Sequence, residues 1–246
     1  NPASQLAADE ALWIACEHGN VADNIFRVWE CQSAIVVLGR GSKVAEEVQQ
    51  LACAADAIPI LRRTSGGATI LGGQGCLMYT VVLHHAEDPR LSTIDATHQF
   101  VLQTTATALN DQIHGKSQSN ANPGAIVVAG TSDLAWRPPT EPGDRALPTP
   151  LCKISGNSMR RGRTCTLYHG TVLYDFDLDQ ISRYLAFAPR QPTYRAARDH
   201  GAFVTNLPLN REDIVAALWR AWQPEPEPAW PTDLLTNIVD LVRTKY

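Results

Sequence analysis

Ile58-Pro59-Ile60-Leu61-Arg62-Arg63-Thr64-Ser65-Gly66-Gly67-Ala68-Thr69-Ile70-Leu71 is an apolar run that stops on two cations and a glycine pair. The first four residues are short and apolar enough to read as a strand. The glycines let the backbone approach a ligand closely, and successive N–H groups in such a turn can cradle an anion. Arg62 and Arg63 add charge where a phosphate or carboxylate would sit. Gly72-Gly73-Gln74-Gly75 makes a second turn, and residues 76–83 read as the next strand of a hairpin-like return. Neither GxGxxG in a strand–helix setting nor GxxxxGK[ST] is present, so the common nucleotide loops are excluded. Taken alone, the segment fits a plain solvated turn as well as a ligand site.

Upstream, Ser4 is placed to cap a first helix that Gly19 closes, with Leu6, Trp13 and Ile14 inward. Strands follow at 25–29 and 34–38, then a helix from Glu46 to Ala55. Downstream, residues 92–114 form a long helix capped by Ser92 and stopped by Gly115, with Ile94, Val101, Leu102, Leu109 and Ile113 on one face. A strand at 126–128 precedes a Pro-rich exposed loop at 137–150. A strand at 152–154 meets a turn Ser155-Gly156-Asn157, and a strand at 164–174 is broken by His169-Gly170. Asn210 caps a helix to Trp222, residues 224–228 form a stiff spacer, and Thr232 caps a last helix. Regular βαβ alternation is missing, which predicts an α+β fold: helices flanking a central mixed, largely antiparallel sheet. The chain reads as one domain over 1–246, with 209–246 a short C-terminal helical extension.

The 246 residues are 44% hydrophobic and 19% charged, enough for one large core. A net charge of -4 points away from a nucleic-acid partner. Apolar runs are too short for a membrane span, and no signal-like segment precedes the first helix. The six cysteines form no CxxC pair and no zinc spacing with histidine, so no metal is expected. They read as buried free thiols of a reducing, cytoplasmic compartment.

Two further segments bear chemistry. In Cys152-Lys153-Ile154-Ser155-Gly156-Asn157, strand alternation turns Lys153 away from Cys152 and Ile154. A lysine there, with Arg160, Arg161 and Arg163 following, is a point charge placed for an anionic ligand. In Tyr168-His169-Gly170-Thr171, His169 is either an acid/base group or a hydrogen-bonded structural residue.

Arg-Arg-x-Ser-Gly-Gly, then Lys-Ile-Ser-Gly-Asn, then His-Gly-Thr, in that order, resembles the lipoate–protein ligase A family of the biotin/lipoate ligase and octanoyltransferase superfamily. The likeness extends to Leu6-Ala7-Ala8-Asp9-Glu10-Ala11-Leu12, Val37-Leu38-Gly39-Arg40, Gly130-Thr131-Ser132-Asp133-Leu134 and Phe203-Val204-Thr205-Asn206-Leu207. It implies a catalytic core like that of biotin ligases and class II aminoacyl-tRNA synthetases. It also implies an enzyme that activates lipoate or octanoate with ATP and Mg²⁺ as an acyl-AMP, then passes the acyl group to a lysine of a lipoyl-acceptor protein. By the same resemblance Lys153 is the catalytic lysine. Arg63, Ser65, Gly66, Gly67, Ala68, Thr69, Ile70, Leu71, Gly156 and His169 join it in binding nucleotide and acyl group, with the acyl tail in an apolar groove nearby.

Three departures bear on the ATP half of this expectation. Ala68 stands where the family has a third glycine, Gly72 where it has histidine, and Ser132 where it has the asparagine of Asn-Asp-Leu. The extra C-terminal domain of some family ligases is expected to be lacking, and in such cases adenylation can depend on a separate accessory subunit. Two other functions stay open: an octanoyl or lipoyl transferase using a carrier-bound donor, and a binding protein without activity. The transferase reading lacks its nucleophile: the loop before Lys153 has no cysteine except the adjacent Cys152, which alternation turns away from Lys153, and Cys76 and Cys165 read as core residues.

Overall fold

The structure, a computed structural model, describes residues 1–85, 88–116, 123–139, 150–187, 191–223 and 233–246. In chain order the elements are α1 (Pro2–Glu17), β1 (Ile25–Trp29), β2 (Ile35–Leu38), α2 (Val44–Glu47), α3 (Gln50–Ala55), β3 (Ile60–Arg62), β4 (Ile70–Gly72) and β5 (Cys76–His84). Then come α4 (Ile94–Lys116), β6 (Ala125–Ala129), β7 (Asp133–Arg137), β8 (Cys152–Arg161), β9 (Cys165–Leu173), α5 (Asp179–Tyr184), α6 (His200–Phe203), α7 (Arg211–Trp222) and α8 (Leu234–Thr244).

Six strands form one sheet in the order β1-β5-β9-β8-β7-β6, every neighbour antiparallel. A second sheet of three strands, β3-β2-β4, pairs β2 parallel to β3 and antiparallel to β4. The α+β expectation holds.

Alternation splits the large sheet into two faces. On one, Tyr79, Val81, Tyr168, Val172 and Ile154 pack under α4 and α7 through Val101, Leu102, Leu109, Ile214 and Leu218. On the other, Val82, Cys165 and Leu167 meet Leu12, Trp13 and Cys16 of α1, while Cys76, Met78 and Leu173 meet the small sheet. Each fully buried aliphatic chain of this kind contributes about 1.5–3 kcal/mol. Helix α8 closes the outer side of α1, where Lys245 and the Tyr246 hydroxyl donate to Glu10 at 2.5 and 2.9 Å. Among the described residues no helix is long and apolar enough to cross a membrane. All six cysteines are free thiols, and all but Cys152 are buried.

Several local expectations change. The hairpin-like return into the strand at 76–83 does not form: β5 pairs with β1 and β9 in the large sheet, while β3 and β4 flank the fully buried β2 in the small one. The helix expected at 46–55 is two pieces, because Val48 is drawn into an extended bridge with Leu185. Asn1, not Ser4, caps α1 by accepting from the Ala3 amide at 3.0 Å. Thr93, not Ser92, caps α4 by accepting from the Ala96 amide at 3.1 Å, and α4 runs through Gly115 to Lys116. Ser155-Gly156-Asn157 and His169-Gly170 lie inside continuous strands β8 and β9, not in breaks. Gly170 is needed there for close approach rather than for a turn: a Cβ would stand 1.8 Å from Asn157 Oδ1. Thr232, residues 224–228 and most of the 137–150 loop lie outside the described residues.

Candidate active site

Lys153 and Gly156 are three residues apart on β8, so a regular strand would turn them to opposite faces. They share a face because the register slips: Leu134 pairs with Ser155, but Ala135 pairs with Lys153, leaving Ile154 as an extra residue. This β-bulge buries Ile154 completely under α4 and aims Lys153 at the face that carries α1 and the small sheet. The Lys153 carbonyl meanwhile accepts from the Thr205 amide at 2.9 Å, and Lys153 bridges in parallel to Val204. The segment 203–207 therefore clamps the bulge from its free side.

The ammonium of Lys153 lies 2.7 Å from Asp133 Oδ1, with 28% of the lysine side chain exposed and 9% of the aspartate's. Tyr194 donates its hydroxyl to Asp133 Oδ2 at 2.9 Å. Burial and the aspartate charge push the Tyr194 hydroxyl well above its ordinary range, so it stays a donor. Gly156 makes the floor: a Cβ there would meet Lys153 Nζ at 2.8 Å. The lysine is thus folded over Gly156, with one side open to solvent.

Two residues further along the same face of β8, Ser158 meets the glycine turn. Its Oγ lies 2.8 Å from Ser65 Oγ, and Gly67 packs against its Cβ. Arg63 is buried and makes the turn rigid. Its guanidinium donates to Ser65 Oγ at 3.1 Å, Val37 O at 3.1 Å, Gly66 O at 2.6 Å and Ala68 O at 2.9 Å. Burial lowers its pKa to about 10, which still leaves it charged at neutral pH. Arg62 does the same for the neighbouring turn, donating to the carbonyls of Gly39, Arg40 and Ser42. Ser42 donates its hydroxyl to Glu47 Oε2 at 2.9 Å, and Gly67 O is turned inward against Gly39, where a Cβ would stand 1.9 Å from it.

These contacts have an electrostatic consequence. Each peptide is planar and trans, so an inward carbonyl turns the next N–H outward. With Gly66 O held by Arg63 and Gly67 O turned inward against Gly39, the amides of Gly67 and Ala68 point the opposite way. Both residues are exposed. The result is a pair of outward N–H dipoles, a nest suited to an anion. The next amide, that of Thr69, is taken by Glu47 Oε2 at 2.8 Å, which also accepts from the Thr69 hydroxyl at 2.7 Å. Burial raises the Glu47 carboxyl, and the hydrogen bonds from Thr69 and Ser42 more than offset it, so it stays ionised.

His169 lies beneath the turn. Its Nε2 is 2.5 Å from Ser65 Oγ, and its Nδ1 is 3.8 Å from Asp9 Oδ2. Asp9 is paired with Arg27 across α1 and β1. Burial lowers the His169 pKa, with Asp9 working against it. Burial raises the Asp9 carboxyl, but Arg27 and His169 together bring it below its usual range. The geometry makes His169 a hydrogen-bonded support for Ser65, enclosed rather than facing the open side. A parallel contact ties Arg160 to Thr64 and to Glu10, so α1 holds the turn at two points.

Of the residues singled out from the sequence, Lys153, Gly156, His169, Arg63, Ser65, Gly66, Gly67 and Ala68 converge on one face of the large sheet. Thr69 is tied to Glu47, and Ile70 and Leu71 continue into β4. Both arginines face backbone carbonyls rather than the open side. Asp133 and Asp9 lay within quoted motifs but carried no assigned role. Ser158, Tyr194 and Glu47 gave no signal, because their partners are distant in sequence. A surface hollow lined by Thr107, Asp111, Lys116 and Arg220 lies between α4 and α7 on the opposite face.

Sheet, lysine–carboxylate pair and amide-lined turn together make a site suited to an anionic ligand bearing a carboxylate or phosphate. The Lipoyl protein ligase A/B catalytic domain model matches residues 1–217, and the chain belongs to that family. It is an enzyme of the lipoate ligase and octanoyltransferase group. Octanoyltransferase LipM of Brevibacillus brevis is 23% identical over 267 aligned positions, covering 100% of this chain and 92% of that protein. A putative lipoate-protein ligase A of Aeropyrum pernix is 25% identical, covering 91% of this chain and 71% of that one. Among solved structures, a bi-partite lipoate protein ligase of Thermoplasma acidophilum, studied with its E2 lipoyl domain, superposes with a TM-score of 0.75 at 19% identity, covering 100% of this chain and 89% of that one. A lipoate-protein ligase A bound with ATP gives 0.68 at 21% identity, covering 100% and 91%. These likenesses share the fold.

Proposed function

We propose that this chain is an ATP-dependent lipoate–protein ligase. Lipoate and ATP, the latter with Mg²⁺, form lipoyl-AMP and pyrophosphate. A lysine amine of a lipoyl-acceptor domain then attacks the acyl carbon and AMP leaves. The observation that carries the reading is the placement of the Lys153 ammonium, folded over Gly156, on the same sheet face as the Ser158 contact with the Gly66–Gly67 turn, five residues further along β8.

Chemically, the amides supply fixed dipoles for phosphate oxygens. The ammonium supplies a mobile positive charge for the α-phosphate and the acyl carbonyl oxygen, where negative charge grows during both half-reactions. Arg63 acts through the turn it holds. Relatives of known structure support the substrates: one ligase was solved bound with ATP, and another belongs to an archaeal lipoylation system analysed with its E2 lipoyl domain. The bi-partite character of the Thermoplasma protein supports an accessory subunit as a second requirement for adenylation.

The alternative is an octanoyl or lipoyl transferase, favoured by the full-length match to LipM. Covalent transfer needs a nucleophile beside Lys153. Cys152 is the adjacent thiol, but its Sγ turns to Pro150 O and Ala202 O at 3.7 and 3.9 Å. Incubating the protein with lipoate and radiolabelled ATP, without acceptor, separates the two. Acyl-adenylate formation is expected. Its absence with and without an accessory subunit, together with transfer from octanoyl-carrier protein, would assign the transferase instead.

A further inference from the structure

A second cluster of chemistry-bearing groups lies on the α1 side of the sheet, away from Lys153. His84 ends β5 and Cys165 begins β9, and the two are a directly paired cross-strand couple. Cys165 Sγ is 3.2 Å from His84 Nδ1. Cys16, near the C-terminus of α1, comes down onto this couple, and the three donor atoms all lie within 4.8 Å of one another. Both cysteines are buried and His84 is half-buried. Cys165 is four residues from His169 along β9, about 13 Å at ~3.3 Å per residue, so the cluster does not share the Lys153 site.

The surroundings hold the donors in place. Glu17, next to Cys16, accepts from the backbone amides of Arg163, Thr164 and Cys165 at 2.9, 3.1 and 2.6 Å. One end of α1 therefore delivers a thiol and simultaneously fixes the backbone that delivers the other. Trp13 covers the group, donating its indole N–H to Cys165 O at 3.4 Å. His84 Nε2 is shut off from solvent and finds no hydrogen-bond partner, leaving Nδ1 and its sulfur neighbour as the ring's polar contact. Thiols and imidazole offer each other only weak hydrogen bonds here.

We propose that Cys16, His84 and Cys165 form a binding site for a borderline-soft divalent cation of the zinc class. Zinc prefers sulfur and imidazole donors in tetrahedral array at about 2.3 and 2.0–2.1 Å, which places neighbouring donors roughly 3.3–3.8 Å apart. The Cys165–His84 separation needs only a small adjustment to reach that range. Two thiolates and one imidazole leave the fourth position to water or an added ligand. The cation would staple α1 to the β5–β9 pair and stabilise the fold by linkage.

The test uses the full chain, reduced and freed of metal by chelation, then titrated with Co²⁺ as the spectroscopic probe and with Zn²⁺ in parallel. Thiolate-to-cobalt charge-transfer absorption and tetrahedral ligand-field bands are expected, and Zn²⁺ should displace them and raise Tm. Cys16→Ala and Cys165→Ser should each lose the charge-transfer absorption or weaken it strongly. His84→Gln, at a half-buried position, serves as the variant least able to unfold the protein and should lose the tetrahedral spectrum. Cys53→Ser should behave as the parent. No thiolate–cobalt absorption in the parent, or its survival in Cys16→Ala, would overturn the assignment.

Discussion

Lys153 Nζ stands 2.7 Å from Asp133 Oδ1 because a single extra residue, Ile154, turns the lysine back toward the face where Asp133 lies. The pair is partly open to solvent, so its charge is available to a ligand. Replacing Lys153 with Ala should cut acyl transfer by about 10²–10³, the usual loss for one transition-state donor. The fold should persist, since the removed group is not a core residue. Single-turnover kinetics with circular dichroism checks both; normal turnover with an intact fold contradicts the role.

Asp133 acts on Lys153 rather than on the reaction. In Asp133→Asn the Tyr194 hydrogen bond can survive, but the charge that holds the ammonium does not. The expected effect is a fall in kcat of roughly tenfold, corresponding to ~1.4 kcal/mol, with KM for the acyl substrate little changed. Tyr194→Phe should give a smaller fall of the same kind. An unchanged kcat in Asp133→Asn would show that the ligand, not the aspartate, orients the lysine.

Gly156→Ala offers a cleaner perturbation. The new methyl would meet Lys153 Nζ and Cε at 2.8 and 2.9 Å, the flexible end of a side chain. The lysine should swing away at little cost in stability. Activity should fall while Tm stays within the scatter of ordinary surface substitutions. Gly170→Ala is the contrast: its methyl would overlap Asn157 and the Tyr79 ring, so Tm itself should drop by overpacking.

Arg63 should behave as a structural residue with a functional consequence. Its four hydrogen bonds go to Ser65 Oγ and to the carbonyls of Val37, Gly66 and Ala68, and the one to Gly66 O keeps the Gly67 amide outward. Arg63→Ala should cost roughly 3 kcal/mol, and Arg63→Lys should recover only part of it because an ammonium lacks the fork. At this chain length that corresponds to a Tm loss of roughly 6–12 °C. Thermal unfolding and ATP binding should fall together in both variants.

Acid should weaken the α1 junction. The His169 pKa is depressed by burial, so the unfolded chain binds the proton first as pH falls. Stability is therefore complete above pH ~6.5, the unfolded histidine value, and declines as pH drops from there toward the folded value. Asp9, held low by Arg27 and His169 against its burial, adds a second loss below pH ~4. Urea unfolding across this range should show both steps. His169→Gln, which keeps a hydrogen-bonding group, should reduce the upper one, the remainder coming from His85, His98 and His200, whose pKa values burial also lowers.

The sequence by itself determined what local chemistry can determine. Alternation and β-branched runs located most of the strands; Gly66-Gly67 after the twin arginines marked the turn; Lys153 followed from its motif. It misread Ser155-Gly156-Asn157 and His169-Gly170 as breaks, because a glycine needed for close approach looks in sequence like one needed for a turn. Tertiary structure alone decided the rest. The bulge at Ile154 exists only as a mismatch between β7 and β8. Arg62 and Arg63 look like ligand-facing cations until their carbonyl partners on 37–42 and 66–68 are seen. Cys16, His84 and Cys165 have no metal spacing along the chain, yet strand pairing and the seat of α1 bring them within 4.8 Å. Those relationships are set by packing between segments distant in sequence, and no local propensity encodes them.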